Sequence, residues 1–119
     1  MKKIIIADDD PAIGEIFNII LKRAGYDVTL YSNGEALMNN DFERPDMFLL
    51  DKQLSGIDGL EVCRFLKSQE ATKNTPIIII SASSKVAGAA EEAGADEFLE
   101  KPFTIKGLTQ TIEKYMNKN

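Results

Sequence analysis

The chain has 119 residues, 44% apolar and 28% charged, with 19 acids against 14 bases and a formal net charge of −5. That size fits one domain with a core of its own, excludes wholesale disorder, and the acidity argues against nucleic-acid binding, which rests on clustered Lys and Arg. With no His and a single Cys, zinc sites built on His, His general bases, Ser-His-Asp triads and internal disulfides are all excluded, so any chemistry falls to carboxylates, hydroxyls, lysines and backbone.

The first apolar run, Ile4–Ala7, follows Met1-Lys2-Lys3 and ends in Asp8-Asp9-Asp10. It imitates a signal peptide, but four apolar residues are far too few for one. No run approaches the roughly 20 residues of a spanning helix, so a cytoplasmic protein that does not enter membranes is expected. Asp10-Pro11 opens a helix with an N-cap acid and a first-turn proline. Ile13, Ile16, Phe17 and Ile20 follow one helical face, and Gly25 closes it. Val28–Tyr31 reads as a second strand, Gly34 to Asn40 as a weak helix, and Met47–Leu50 as a third strand ending at Asp51. A third helix begins near Asp58 and shows Leu60, Cys63 and Leu66 on one face. Ile77–Ile80, four isoleucines without polar alternation, predicts a central strand covered on both faces. Ala87 to Ala93 form a short helix closed by Gly94, Glu97–Leu99 a weak last strand, and Ile105, Leu108, Ile112 and Tyr115 the face of a helix capped by Thr104. The polar end, Asn117-Lys118-Asn119, reads as a terminus or the start of a tether.

Five alternating β-α units imply an α/β fold, a doubly wound parallel sheet with right-handed crossovers. The pattern leaves the strand order open. Ligands of such sheets bind beyond the carboxyl ends of the strands. Those ends carry Asp8-Asp9-Asp10, Asp51, Ser81 and Lys101-Pro102. Gathered carboxylates repel unless a cation sits among them, and an oxygen-only set suits a hard ion such as Mg2+ together with a phosphate. Each residue also has a plainer reading: Asp10 as a helix cap, Asp8 and Asp9 as capping or solvated-loop acids, Ser81 as a strand-end hydroxyl, Cys63 as core.

Five fragments in order, Ile4-Ile5-Ile6-Ala7-Asp8-Asp9-Asp10-Pro11, Leu49-Leu50-Asp51 with Gly56-Ile57-Asp58-Gly59, Ile80-Ser81-Ala82, Ala93-Gly94-Ala95-Asp96 and Lys101-Pro102-Phe103, resemble the receiver domain of two-component response regulators, the CheY-like superfamily. The resemblance covers about residues 2 to 118 and implies a flavodoxin-like three-layer sandwich with strand order 2-1-3-4-5, one receiver domain over 1–119, and a cis Lys101–Pro102 bond. It also implies a function as the phospho-accepting receiver of a phosphorelay. A sensor histidine kinase or phosphotransfer protein passes a phosphoryl group to Asp51, with Mg2+ (or Mn2+) as cofactor. Asp9, Asp51 and the Gln53 backbone carbonyl would hold the metal, with Asp8 acting through a bound water. Ser81 and Lys101 would contact the phosphoryl group. Ser81 and Phe98 would switch the face built by the fourth helix, fifth strand and fifth helix, although Phe98 reads equally well as core.

Such a chain is not an enzyme toward external substrates. It acts on a downstream effector or output domain, on another molecule or on further sequence, and a phosphorylation-dependent dimer is a further expectation. Gln53 and Ser83 stand where the family tunes acyl-phosphate lifetime, Ser55 stands where many members have proline, and Lys52 has no assigned role. Two other readings compete. Asp8-x-Asp10 resembles the haloacid-dehalogenase motif of phosphohydrolases, and a pseudo-receiver would bind partners without taking phosphate.

Overall fold

The computed structural model describes residues 1–116; the Asn117–Asn119 tail lies outside the described residues. Strands and helices alternate along the chain: β1 (Lys3–Ala7), α1 (Pro11–Arg23), β2 (Asp27–Tyr31), α2 (Glu35–Met38), β3 (Met47–Asp51), α3 (Gly59–Ser68), β4 (Ile77–Ser81), α4 (Val86–Glu92), β5 (Glu97–Glu100) and α5 (Ile105–Met116). All neighbouring strands are parallel and the order is β2-β1-β3-β4-β5. The three inner strands are buried along their length, apart from half-exposed Lys3. This explains their unbroken apolar runs, since helices cover both sheet faces.

Alternation along the strands sorts the core into two layers. Ile5, Ala7, Phe48, Leu50, Ile77 and Ile79 face Leu37 of α2, Leu60, Cys63 and Leu66 of α3 and Ala90 of α4. Ile4, Ile6, Met47, Leu49, Ile78 and Ile80 face Phe17 and Leu21 of α1 and Leu108 and Ile112 of α5. The isoleucine run of β4 thus supplies both layers from consecutive positions.

Helix ends follow their local chemistry. The Asp10 carboxylate accepts from the Ala12 and Ile13 amides, and Asp58 caps α3 by accepting from Leu60 N–H. Thr104 Oγ1 accepts from Gly107 N–H at 2.9 Å at the start of α5. Gly25 and Gly94 leave α1 and α4 at φ +96° and +93°, in the left-handed region where a Cβ is strained.

Three expectations need correction. The buried face of α1 is Gly14, Phe17 and Leu21, while Ile16 is 56% exposed and Ile13 and Ile20 are half-buried. The apolar stripe of α1 is therefore wider than its contact with the sheet. The second helix is only a single turn, Glu35–Met38, because Gly34 provides no side-chain cap and Asn40 turns left-handed at φ 56°. In α5 the buried line is Leu108, Ile112 and Met116, with Ile105 62% exposed at the first turn. The Lys101–Pro102 peptide bond is cis.

Candidate functional site

Three buried strands stop at one end of the sheet, and their polar terminal residues surround a cleft of about 370 Å3. Its wall comprises Asp8, Asp9 and Asp10 after β1, Asp51 and Gln53 at the end of β3, Ser81 and Ser83 at the end of β4, and Lys101 after β5. Parallel pairing brings these residues together: β3 lies between β1 and β4, so Asp51 occupies the middle of the row.

Lys101 Nζ donates to Asp51 Oδ2 at 2.7 Å and stands 3.7 Å from Asp8 Oδ2. The other Asp51 oxygen, Oδ1, accepts from the Gln53 amide at 2.9 Å. Asp8 Oδ1 accepts from the Asp10 amide at 2.9 Å. Asp8 and Asp51 are both buried, with 3% and 8% of their surface exposed. Burial is the main force raising the Asp8 pKa above its ordinary value, and the nearby Asp51 carboxylate adds to it; the Asp10 amide and Lys101 pull the other way without cancelling the rise. Burial opposes the charge on Lys101, but its hydrogen bond to Asp51 and the charges of Asp51, Asp8 and Asp10 outweigh that, and its pKa stands above the ordinary lysine value. One cation is thus shared by two buried carboxylates.

Asp9 lines the same cleft but is exposed, and its Oδ2 accepts from Ser55 Oγ at 3.3 Å. Ser81 Oγ accepts from the Ser83 amide at 3.1 Å, a local turn that holds the hydroxyl at the strand end. Lys101 N–H donates to Ser81 O at 2.8 Å, which ties the lysine to the neighbouring strand. Phe98 lies away from the cleft. It is half-buried against the layer under α3 and α4 and lines a second hollow with Ala87, Ala90 and Ala95.

Among the described residues, no three His, Cys, Asp or Glu side chains are arranged to hold a metal by themselves. Mg2+ does not require that, because it commonly binds through one or two carboxylates, keeps several waters and takes further oxygens from phosphate. Two buried carboxylates that share one ammonium, open to a cleft with a third acid at its rim, fit such an ion. Ile13, on the predicted apolar face of α1, packs against the core and also lines the cleft. Its place in the α1 stripe gave no sign of that. The Ser55–Asp9 contact spans 46 positions between two loops, and no local pattern encodes it.

The chain matches the response regulator receiver domain family over residues 4–113 and belongs to it. Among curated proteins it is 32% identical over 121 residues to the DNA-binding response regulator MtrA of Mycolicibacterium smegmatis, aligning 99% of this chain with 52% of that protein. It therefore spans about half the length of the curated relatives it matches. Among solved structures, the receiver domain of a sensor histidine kinase from Pseudomonas aeruginosa PAO1, with a magnesium ion coordinated in its active-site cleft, superposes with a TM-score of 0.90 at 26% identity over 98% of both chains. The response regulator TrrA of Thermotoga maritima, in complex with Mg2+-BeF, gives a TM-score of 0.86 at 32% identity, over 97% of this chain and 99% of that one. The chain is thus a receiver domain of the two-component response-regulator type. No helix among the described residues is long and apolar enough to cross a membrane.

Proposed function

We propose that Asp51 is the phosphoryl acceptor of this receiver and that Asp8, Asp9, Ser81 and Lys101 serve the transfer. The observation that carries this is the position of Lys101 Nζ, 2.7 Å from Asp51 and 3.7 Å from Asp8 on the wall of an open cleft. An Asp51 carboxylate oxygen attacks the phosphorus of a phosphohistidine on a sensor kinase or phosphotransfer protein. The P–N bond breaks, the electron pair stays on the imidazole nitrogen, and an acyl phosphate forms. Phosphoryl transfer of this kind needs positioning and charge cancellation more than covalent help. Asp51 is positioned by the Gln53 amide on Oδ1, which leaves Oδ2 and its ammonium partner facing the cleft. Lys101 can follow the negative charge from Oδ2 to a phosphoryl oxygen, and the Ser81 hydroxyl can donate to another.

Asp8, Asp9, Asp51 and the Gln53 carbonyl would hold Mg2+ or Mn2+. The ion would supply positive charge to the phosphoryl oxygens and relieve the repulsion between the buried carboxylates. The chain then promotes its own phosphorylation and the slow loss of the group, and turns over no external substrate. Residues 1–119 form one receiver domain, placed in the cytoplasm with its donor. Its partners are the phosphodonor and a downstream effector or output domain, with a phosphorylation-dependent dimer as one form of output. The domain itself makes no direct contact with nucleic acid; where its relatives bind DNA, the part of their length beyond this chain is the place for that activity.

The test is incubation with Mg2+ and acetyl phosphate, followed by intact mass measurement. A labile adduct of one phosphoryl group is expected, and Asp51→Asn abolishes it. Loss with Asp8→Asn but not Asp51→Asn would instead assign a phosphohydrolase of the Asp8-x-Asp10 kind, and no adduct at all a pseudo-receiver.

A further inference from the structure

The loop between β3 and α3 is fastened at its neck directly behind Asp51. Gly59 N–H donates to Lys52 O at 2.8 Å. Gln53 and Asp58 pair as an antiparallel bridge. Lys52 Nζ meets Asp58 Oδ2 at 2.9 Å, while the other Asp58 oxygen caps α3 by accepting from Leu60 N–H at 2.8 Å. The neck has no spare room, because a Cβ on Gly59 would lie 2.1 Å from the Asp51 carbonyl oxygen and 3.0 Å from Lys52 Cα. Beyond the neck the loop is pinned by Leu54, buried in the core, and by Ser55, which bridges to Asn33 and donates to Asp9, whereas Gln53 and Gly56 are exposed and Gly56 sits at φ +84°.

We propose that the Lys52–Asp58 pair is a latch that positions Gln53, and through it both the cation and the Asp51 side chain. The inference rests on the reading of the cleft as a phosphoryl-accepting, Mg2+-binding site. Gln53 has two duties there. Its amide holds Asp51 Oδ1 at 2.9 Å, and its carbonyl is the backbone oxygen assigned to the metal. Lys52 lies on the strand side of the neck and Asp58 on the helix side, so their bridge closes the ring that contains Gln53. This gives Lys52 a role its charge alone does not predict, for a cation beside a divalent-metal site weakens binding by repulsion, whereas a latch strengthens it by ordering a ligand.

That opposition of sign makes the test. Lys52→Gln, Asp58→Asn and the double variant are compared for Mg2+ affinity by calorimetry, and for amide exchange at Gln53 and Leu54 in the metal-free protein. Asn keeps the capping oxygen of position 58, so α3 stays capped. Each single change is expected to weaken Mg2+ binding roughly two- to fivefold, the scale of one partly exposed ion pair. The double variant should be no weaker than the weaker single, and exchange at Gln53 should accelerate in all three. Tighter Mg2+ binding in Lys52→Gln, or unaltered exchange at Gln53, overturns the latch. Wild-type protein that binds no Mg2+ would overturn the reading of the cleft and the cation-positioning role with it, whereas unaltered exchange alongside normal Mg2+ binding overturns the latch only.

Discussion

Asp8 is held where ionisation is disfavoured. Its raised pKa means the folded protein binds its proton more tightly than the unfolded chain, so this residue's contribution to stability falls as pH climbs through the raised value. Once ionised, the group is a burden on the metal-free fold. Asp8→Asn should therefore raise the urea midpoint at pH 7 in the presence of a chelator and lower the affinity for Mg2+, a trade seen by running the two measurements side by side. Cys63 differs in having no such use. Its thiol donates to Ala93 O at 3.5 Å inside the core, and burial pushes its pKa up from 9.0 to about 11. It should resist alkylation in the native protein at pH 8 and react only on unfolding. Because the folded state keeps that proton between pH 9.0 and 11, stability should fall across that window by up to about 1.4 kcal/mol per pH unit. Cys63→Ala should remove this part of the slope, which urea titrations at several pH values would resolve.

At the scale of elements, α4 stands apart. It has seven residues, no side-chain cap, and only Ala90 buried. Gly88 in its middle has open space where a Cβ would stand, so no close contact requires glycine. Gly88→Ala should stabilise the helix by about 0.5–1 kcal/mol, visible as slower amide exchange across Val86–Glu92. If phosphorylation repacks α4 and β5, the same variant should narrow the difference in exchange that a phosphoryl mimic produces over 82–100.

The elements themselves were legible in the sequence wherever burial is two-sided. The runs at Ile4–Ala7, Met47–Leu50 and Ile77–Ile80 carry no polar position because both sheet faces are covered, and each ends at a charged or hydroxyl residue that the topology then gathers. The α1 stripe differs from the buried face because periodicity reports which residues are apolar and not how wide a surface the sheet offers. Ile16 thus belongs to the apolar stripe though most of it faces outward. Contacts such as Lys52–Asp58 and Ser55–Asp9 join loop positions whose meeting depends on backbone turns, and alternation cannot signal them.

For the whole molecule, the cleft couples ligand binding to global stability, since an ion that binds only the folded state stabilises it by mass action. Mg2+ at a hundredfold excess over its Kd should add about 2.7 kcal/mol, measured as a shift in thermal midpoint that Asp51→Asn reduces. The opposite end of the sheet carries a purely structural counterpart. Lys67 Nζ donates to Asp96 Oδ2 at 2.8 Å and to Thr75 O at 2.9 Å, and Asp96 Oδ2 also accepts from the Ile77 amide at 2.9 Å. This knot joins α3 to the amino ends of β4 and β5, far from the cleft. Lys67→Met should lower stability without changing the fraction of protein that takes up a phosphoryl group.

The strand order has a consequence for synthesis. β1 pairs with both β2 and β3, so the first 51 residues already contain three of the five strands and the three cleft-lining acids that follow β1, together with Asp51. When β3 leaves the ribosome its outer edge, Met47–Asp51, is bare until β4 arrives 26 positions later. That edge is fully apolar up to its last residue, and an unpaired apolar strand is a template for wrong partners. A chain stopped near residue 70 should therefore precipitate or load onto chaperones, and the yield of folded protein should depend on how quickly the α3 segment and the four isoleucines behind it are translated.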